Sequence, residues 1–158
     1  MKDIAAAPNR LPWPPLIYLA AIAVSIVLGL VYPLPWITRP LSDILFAAGW
    51  LAIAAVVAID FSAMRTLRRA RTTIMPNRAA DHLVTTGPFS FTRNPIYLAN
   101  TLLMVGVALI TGIVWFLPLA ILAAFLTQKL AIEREEKHLE ARFGKKYRDY
   151  ARRVRRWI

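Results

Sequence analysis

The chain has 158 residues, 58% of them hydrophobic, and carries a net charge of +11 with no cysteine. That length suits one domain, but a mean hydropathy of +0.48 is more apolar surface than a soluble core of this size hides, so a bilayer is the expected solvent. Without thiols there is no disulfide, no thiolate metal site and no cysteine nucleophile.

Residues 1–15 are polar and proline-rich, with Trp13 where an interfacial aromatic would sit. From Leu16 to Val31, "LIYLAAIAVSIVLGLV" carries no charge and predicts a first spanning helix. It is too long for a signal-peptide core and no small-residue cleavage site follows, so it is expected to be retained. "YPLPWITRP" then reads as a turn, with Tyr32 and Trp36 as interface anchors. Residues 41–64 form a second candidate span, with Asp43 and Asp60 near its ends, where charge costs least. The segment 65–82 is basic and polar. A third apolar run covers Ile96 to Thr111 and a fourth Ile113 to Leu126, with Gly112 allowing a hairpin or a short kinked pair. Beyond Gln128, Ile132, Leu139, Phe143, Tyr147, Tyr150, Val154 and Trp157 recur at helical spacing, predicting an amphipathic helix with a break at Gly144.

The expected architecture is therefore all-α: a polytopic membrane protein with about four transmembrane helices, a cytoplasmic cofactor-binding loop and an amphipathic C-terminal helix. Two parts are expected, residues 1–64 with two helices and residues 65–158 as the working core. Four spans put both termini and the 65–95 loop on one side, leaving Arg39 as the sole Lys or Arg on the other. The positive-inside rule makes that crowded side cytoplasmic. The basic excess has a plain role in orientation and in binding anionic headgroups at ~1 kcal/mol per residue. Nucleic acid is not an expected partner, because the basic residues flank membrane spans and form no nucleic-acid module.

Two clusters bracket the hairpin of runs three and four, "DHLVTTGPFSFTRNPIY" and "EREEKHLEARFGKKYRDY", and a hairpin returns them to one face. Pro95 suits the first position of a helix and holds Asn94 extended. Arg93 then lies at a helix N-terminus, where it either receives a carboxylate or phosphate or reaches lipid headgroups. Asn94 is equally readable as a cap. Glu135 and Glu136 diverge by ~100° on a helix, so one is expected to bind a ligand and the other to pair with an arginine. His82 and His138 lack partners at metal-ligand spacing, and no metal site is expected.

"LVTTGPFSFTRNPIY" resembles the (L/V)VTxGxYxxxRxPxY signature of integral-membrane methyltransferases, the isoprenylcysteine carboxyl methyltransferase and phospholipid methyltransferase group. "EEKHLEARFGKKYRDY" is similar to that group's EExxLxxxFGxxYxxY. The resemblance covers roughly residues 70–157. It implies S-adenosylmethionine as cofactor, bound by Asp81, His82, Leu83, Val84, Phe89, Asn94, Pro95, Ile96, Tyr97 and Glu135, with Arg93 and Glu136 as catalytic residues. Phe89 stands where the family often has tyrosine, Asn94 replaces a frequent histidine, and Ala131 occupies the place of an arginine that binds prenylcysteine substrates in eukaryotic members. The implied reaction is methyl transfer to a lipidic or amphiphilic acceptor, a prenylcysteine-like carboxylate or a phospholipid amine, at the inner membrane surface. Two other readings share the Arg-x-Pro-x-Tyr segment or the basic tail: a sterol-reductase-like enzyme using NADPH, and a non-enzymatic lipid-binding scaffold. Oligomeric state is left open.

Overall fold

The computed structural model describes residues 12–70 and 82–158, and the elements among them are all helical. In chain order they are α1 (Trp13–Val31), α2 (Leu41–Arg69), a 3-10 turn (Gly87–Ser90), α3 (Pro95–Thr111), α4 (Phe116–Thr127), a π turn (Gln128–Ile132), α5 (Glu133–Phe143) and α6 (Lys145–Arg153). Prolines open α1 and α3, where an N–H has no intrahelical acceptor to lose. Asp43 in the first turn of α2, with Arg68 and Arg69 in its last, complements the helix dipole. Gly112, at φ 71°, ends α3 in the left-handed conformation and turns the chain into α4.

All four expected apolar runs are helical, but they are not four equivalent spans. Three helices are long and apolar enough to cross a membrane: α1, α2 and the continuous rod Phe116–Phe143. The 17-residue α3 is about 26 Å long at 1.5 Å per residue, somewhat short of the ~30 Å hydrocarbon core. The expected boundary between a fourth span and a separate amphipathic helix is also absent. α4 runs through the π turn into α5 without leaving the helical path, so one rod carries the chain from apolar to charged sequence.

α2 packs along α3, α3 along α4, and α4 along α1. Large apolar side chains face outward, Leu30 at 79% and Leu51 at 72% exposure, which in water would be untenable and in lipid is the ordinary condition of a spanning helix. Tyr18, Met104, Ala108, Phe116, Ala120 and Ala123 form the inner core between α1, α3 and α4. The α2–α3 contact depends on close backbone approach: a Cβ on Gly49 would lie 2.9 Å from the Gly106 carbonyl oxygen and 2.7 Å from the Ile110 side chain. Small residues at such crossings let dispersion contacts hold helices together where lipid removes the hydrophobic drive.

The polar ends meet at one end of the bundle. The last turn of α2 faces Gly87 through Thr66, and α3 begins and α4 leaves at that same end. Arg39 is the one described basic residue at the opposite end, beside Asp43 at 3.4 Å. The chain reverses at Gly144, φ 54°, as expected, and α6 folds back. Its apolar face is buried against protein: Tyr147, Tyr150 and Val154 pack with Leu83, Leu139 and Phe143.

Gly49→Val is expected to destabilise the bundle by ~1–3 kcal/mol, because the contact is backbone on one side and has nowhere to move. The check is a lower melting temperature in detergent, with Ala58→Leu on the exposed face of α2 leaving it unchanged.

Candidate active site

The loop before α3 is pinned from below by the last residues of the chain. Backbone N–H of Arg93 donates to the Arg155 carbonyl at 2.9 Å. Thr92, fully buried, donates its hydroxyl to the Arg156 carbonyl at 3.2 Å, and the Asn94 side-chain amide reaches the same oxygen at 2.9 Å. Asn94 therefore does not cap α3 through its side chain; it holds the tail. Tyr150 donates to the Phe89 carbonyl at 2.6 Å, and the Trp157 indole donates to Gln128 in the π turn at 2.9 Å. Loop, α6, tail and the start of α5 thus form one framework.

Its polar centre is Glu136. Arg156 forks onto the carboxylate with Nε to Oε1 at 2.9 Å and Nη2 to Oε2 at 2.7 Å. Arg93 approaches from the other side, Nη2 to Oε1 at 3.2 Å, while its Nη1 donates to the Tyr147 hydroxyl at 3.2 Å. The Glu136 and Arg93 side chains are 18% and 15% exposed, so screening by water is weak and the charges depend on one another. The bond to Glu136 raises the Arg156 pKa further above its already high value. Burial, reinforced by the Glu136 charge, pushes the Tyr147 phenol up to about 12, with Arg93 opposing; burial likewise raises Tyr150.

Glu135 takes a different partner. Its Oε1 accepts from the Tyr97 hydroxyl at 2.8 Å. Two adjacent carboxylates of α5 are thus held from the α3 side by Arg93, in the loop before the helix, and Tyr97, in its first turn. A cleft of 580 Å³ opens on the Glu136 side, lined by Arg93, Tyr147, Arg152 and Arg156 and by Glu133 and Glu140, among others. Glu135 is not among its lining residues.

The structure thus brings Arg93, Asn94, Tyr97, Glu135 and Glu136 together. Pro95 is buried as the first residue of α3, with Ile96 partly buried beside it. Leu83 packs under α6, and Phe89 lies in the 3-10 turn, each on the tyrosine side of α6 and off the cleft lining. Val84 is partly buried and His82 exposed; Asp81 lies outside the described residues. Among the described residues, no group of three or more His, Asp or Glu could hold a metal ion. Sequence reasoning missed Arg156 and Thr92, and read Tyr147 as part of an apolar face and of the C-terminal motif without assigning it a partner. Arg156 sits in a run of basic residues, where nothing local separates a carboxylate partner from a headgroup contact.

A family model described as phospholipid methyltransferase matches residues 44–146. The chain belongs to the phospholipid methyltransferase family. With its apolar spanning helices it is an integral membrane protein of a methyl-transferring family. It is also similar to the nickel-cobalt-cadmium resistance protein NccN of Alcaligenes xylosoxydans xylosoxydans, 41% identical over 78 residues that make up 49% of this chain and 36% of that protein. The chain thus spans about a third of the length of the curated relative it matches. No solved structure matches it. The family match ends at residue 146, so Tyr147 and Arg156 complete the site from outside it.

Arg156→Ala should cost ~1–2 kcal/mol of stability, a buried-pair loss discounted for the partial exposure of Arg156. Arg156→Lys should recover only a fraction, because an ammonium cannot fork onto both oxygens. Thermal melting in detergent checks both.

Proposed function

We propose that this protein transfers the methyl group of S-adenosylmethionine to a lipidic or amphiphilic acceptor, a prenylcysteine-like carboxylate or a phospholipid amine, at the cytoplasmic surface of the inner membrane. The observation that carries the reading is the pair of carboxylates held by Arg93 before α3 and Tyr97 on it, one bordering an open cleft and the other bonded to the first turn of a bundle helix. Orientation follows from the gathering of the described basic residues at the cleft end of the bundle.

The cleft suits the cofactor. Its 580 Å³ lies within the ~300–1,000 Å³ range of small-molecule sites. Its lining carries both signs of charge, as a molecule with carboxylate, ammonium and sulfonium groups requires. Arg93 Nε is a buried donor without a hydrogen bond, ready for an incoming acceptor. Arg93 and Arg152 would hold the cofactor's carboxylate, Glu133 or Glu140 its ammonium or ribose hydroxyls, and Tyr147 would offer an aromatic face. When bound, the sulfonium supplies a methyl group already activated for displacement and retains the electron pair of the broken S–C bond.

The chain's own work is alignment and exclusion of water. Holding reactants in line supplies ~7–11 kcal/mol of the barrier, and a site at the edge of the hydrocarbon strips solvent from the nucleophile. Glu136 is engaged by two guanidinium groups and holds the framework in place. Glu135, bonded to the Tyr97 phenol behind the cleft lining, would contact the cofactor and take a proton from an acceptor that must lose one. Soluble cofactor enters the open cleft and the acceptor enters from the lipid between helices.

Protein purified in detergent is expected to be stabilised selectively by S-adenosylmethionine and its demethylated product, by ~2.7 kcal/mol at a hundredfold excess over Kd. Arg93→Ala and Glu135→Ala should weaken that response while the protein stays folded. Selective stabilisation by NADPH would turn the reading to a reductase, and no response to either to a scaffold. Lipid extracts of cells with and without the protein, grown with and without nickel, cobalt or cadmium, are the place to seek the acceptor, given the relative's name.

A further inference from the structure

The loop before α3 and the tail after α6 lie side by side. The Arg93 N–H donates to the Arg155 carbonyl at 2.9 Å, and the Thr92 hydroxyl to the Arg156 carbonyl at 3.2 Å. This pairing sits at the polar limit of the apolar bundle. Pro95 opens α3 two residues after Arg93. The Trp157 indole donates at 2.9 Å to Gln128, where the rod leaves its apolar stretch. Two large apolar side chains of the paired segments are bare there, Phe91 at 55% and Ile158 at 78% exposure. At the edge of the hydrocarbon, aromatic and apolar side chains seat themselves in the headgroup layer.

The same tail is crowded with positive charge. Arg152, Arg153, Arg155 and Arg156 follow one another closely, and among the described residues only Arg156 has a carboxylate partner, Glu136. Arg153 donates to the Asp149 backbone carbonyl rather than to its carboxylate. The Arg153 and Arg155 side chains are exposed and lie outside the cleft lining. Their mutual repulsion works against the packing of the segment that carries Arg156 to Glu136.

We propose that residues 153–158, together with Phe91, form a docking surface for anionic lipid of the adjoining leaflet. Phe91 and Ile158 enter the headgroup layer, and Arg153 and Arg155 bind lipid phosphates. Docking compensates the charges that oppose the tail. Anionic lipid therefore closes the latch that keeps Arg156 on Glu136 and the Arg93 loop in place. Position matters here more than net charge: Lys145 and Lys146 are also exposed, but they start α6, ~12 Å from Arg153 at 1.5 Å per residue. The inference goes beyond the methyltransferase reading and does not depend on it.

The test is hydrogen exchange at the Arg93 amide, whose acceptor is the tail itself. The whole chain is measured without cofactor in nanodiscs of phosphatidylcholine, or of phosphatidylcholine mixed equally with phosphatidylglycerol. Each guanidinium near an anionic surface contributes roughly fivefold, so exchange should slow about ten- to thirtyfold in the anionic discs. High salt should abolish the difference. Arg153→Gln combined with Arg155→Gln should remove the slowing, and Lys145→Gln combined with Lys146→Gln should keep it. Unchanged exchange within α3 reports that the bundle of each variant is intact. Soluble glycerophosphoglycerol added to neutral discs should not reproduce the effect. Equal exchange in the two discs, full slowing without Arg153 and Arg155, loss of slowing without the two lysines, or slowing by the soluble phosphate overturns the proposal. Stabilisation by S-adenosylmethionine decides the methyltransferase reading separately, since no cofactor enters this measurement.

Discussion

A single carboxylate shared by two guanidinium groups governs this molecule. Glu136 joins three pieces of chain that are remote in sequence: the loop ending in Arg93, the helix α5 and the tail that carries Arg156. Desolvating three charges is costly, and their attraction offsets that only when the geometry is good and the remaining donors are satisfied. Here the fork from Arg156 meets both oxygens and the Arg155 and Arg156 carbonyls take up polar groups of residues 92–94, while Arg93 Nε stays buried without a hydrogen bond. The tail could not reach this position unless Gly144 reversed the chain and the tyrosines of α6 buried their face against Leu83 and Phe143. The ion pair, the reversal and the small aromatic core therefore support one another.

The membrane part delivers these groups to one place. Close approach at Gly49 and Gly106 sets α2 against α3, which fixes where α3 begins. The rod from Phe116 to Phe143 carries Glu135 and Glu136 out of the apolar region on a single rigid element. Neighbouring helix positions point ~100° apart, and the partners on the α3 side are correspondingly offset, one in the entering loop and one a turn into the helix. Two glutamates that could not share a single partner are thus both satisfied.

The result is a site with two sides. Toward water lies a cleft with charges of both signs; toward the bundle lies a group of neutral hydroxyls on α1, α3 and α4. The proposed reaction has to reconcile a charged, water-soluble donor with an acceptor dissolved in lipid, and the Tyr97–Glu135 bond would stand between the two.

The helical class, the membrane and the gathering of basic residues at one end were legible because they depend on composition and on periodicity along the chain. Pro95 and Gly112 marked the limits of α3, and Gly144 the break before α6, through local backbone preference. The paired motifs around the hairpin were likewise visible. Which glutamate meets Arg93 was not, since both lie within reach on a bare helical wheel; the π turn and the offset of α3 decide it. Nor were the fork from Arg156, the buried Thr92 or the approach of Tyr18 to Tyr97, each linking residues more than eighteen positions apart. Sequence determines what each segment prefers in its solvent. Only the packed bundle determines which polar groups are left facing one another, because a buried charge or hydroxyl takes its meaning from the partner that replaces water.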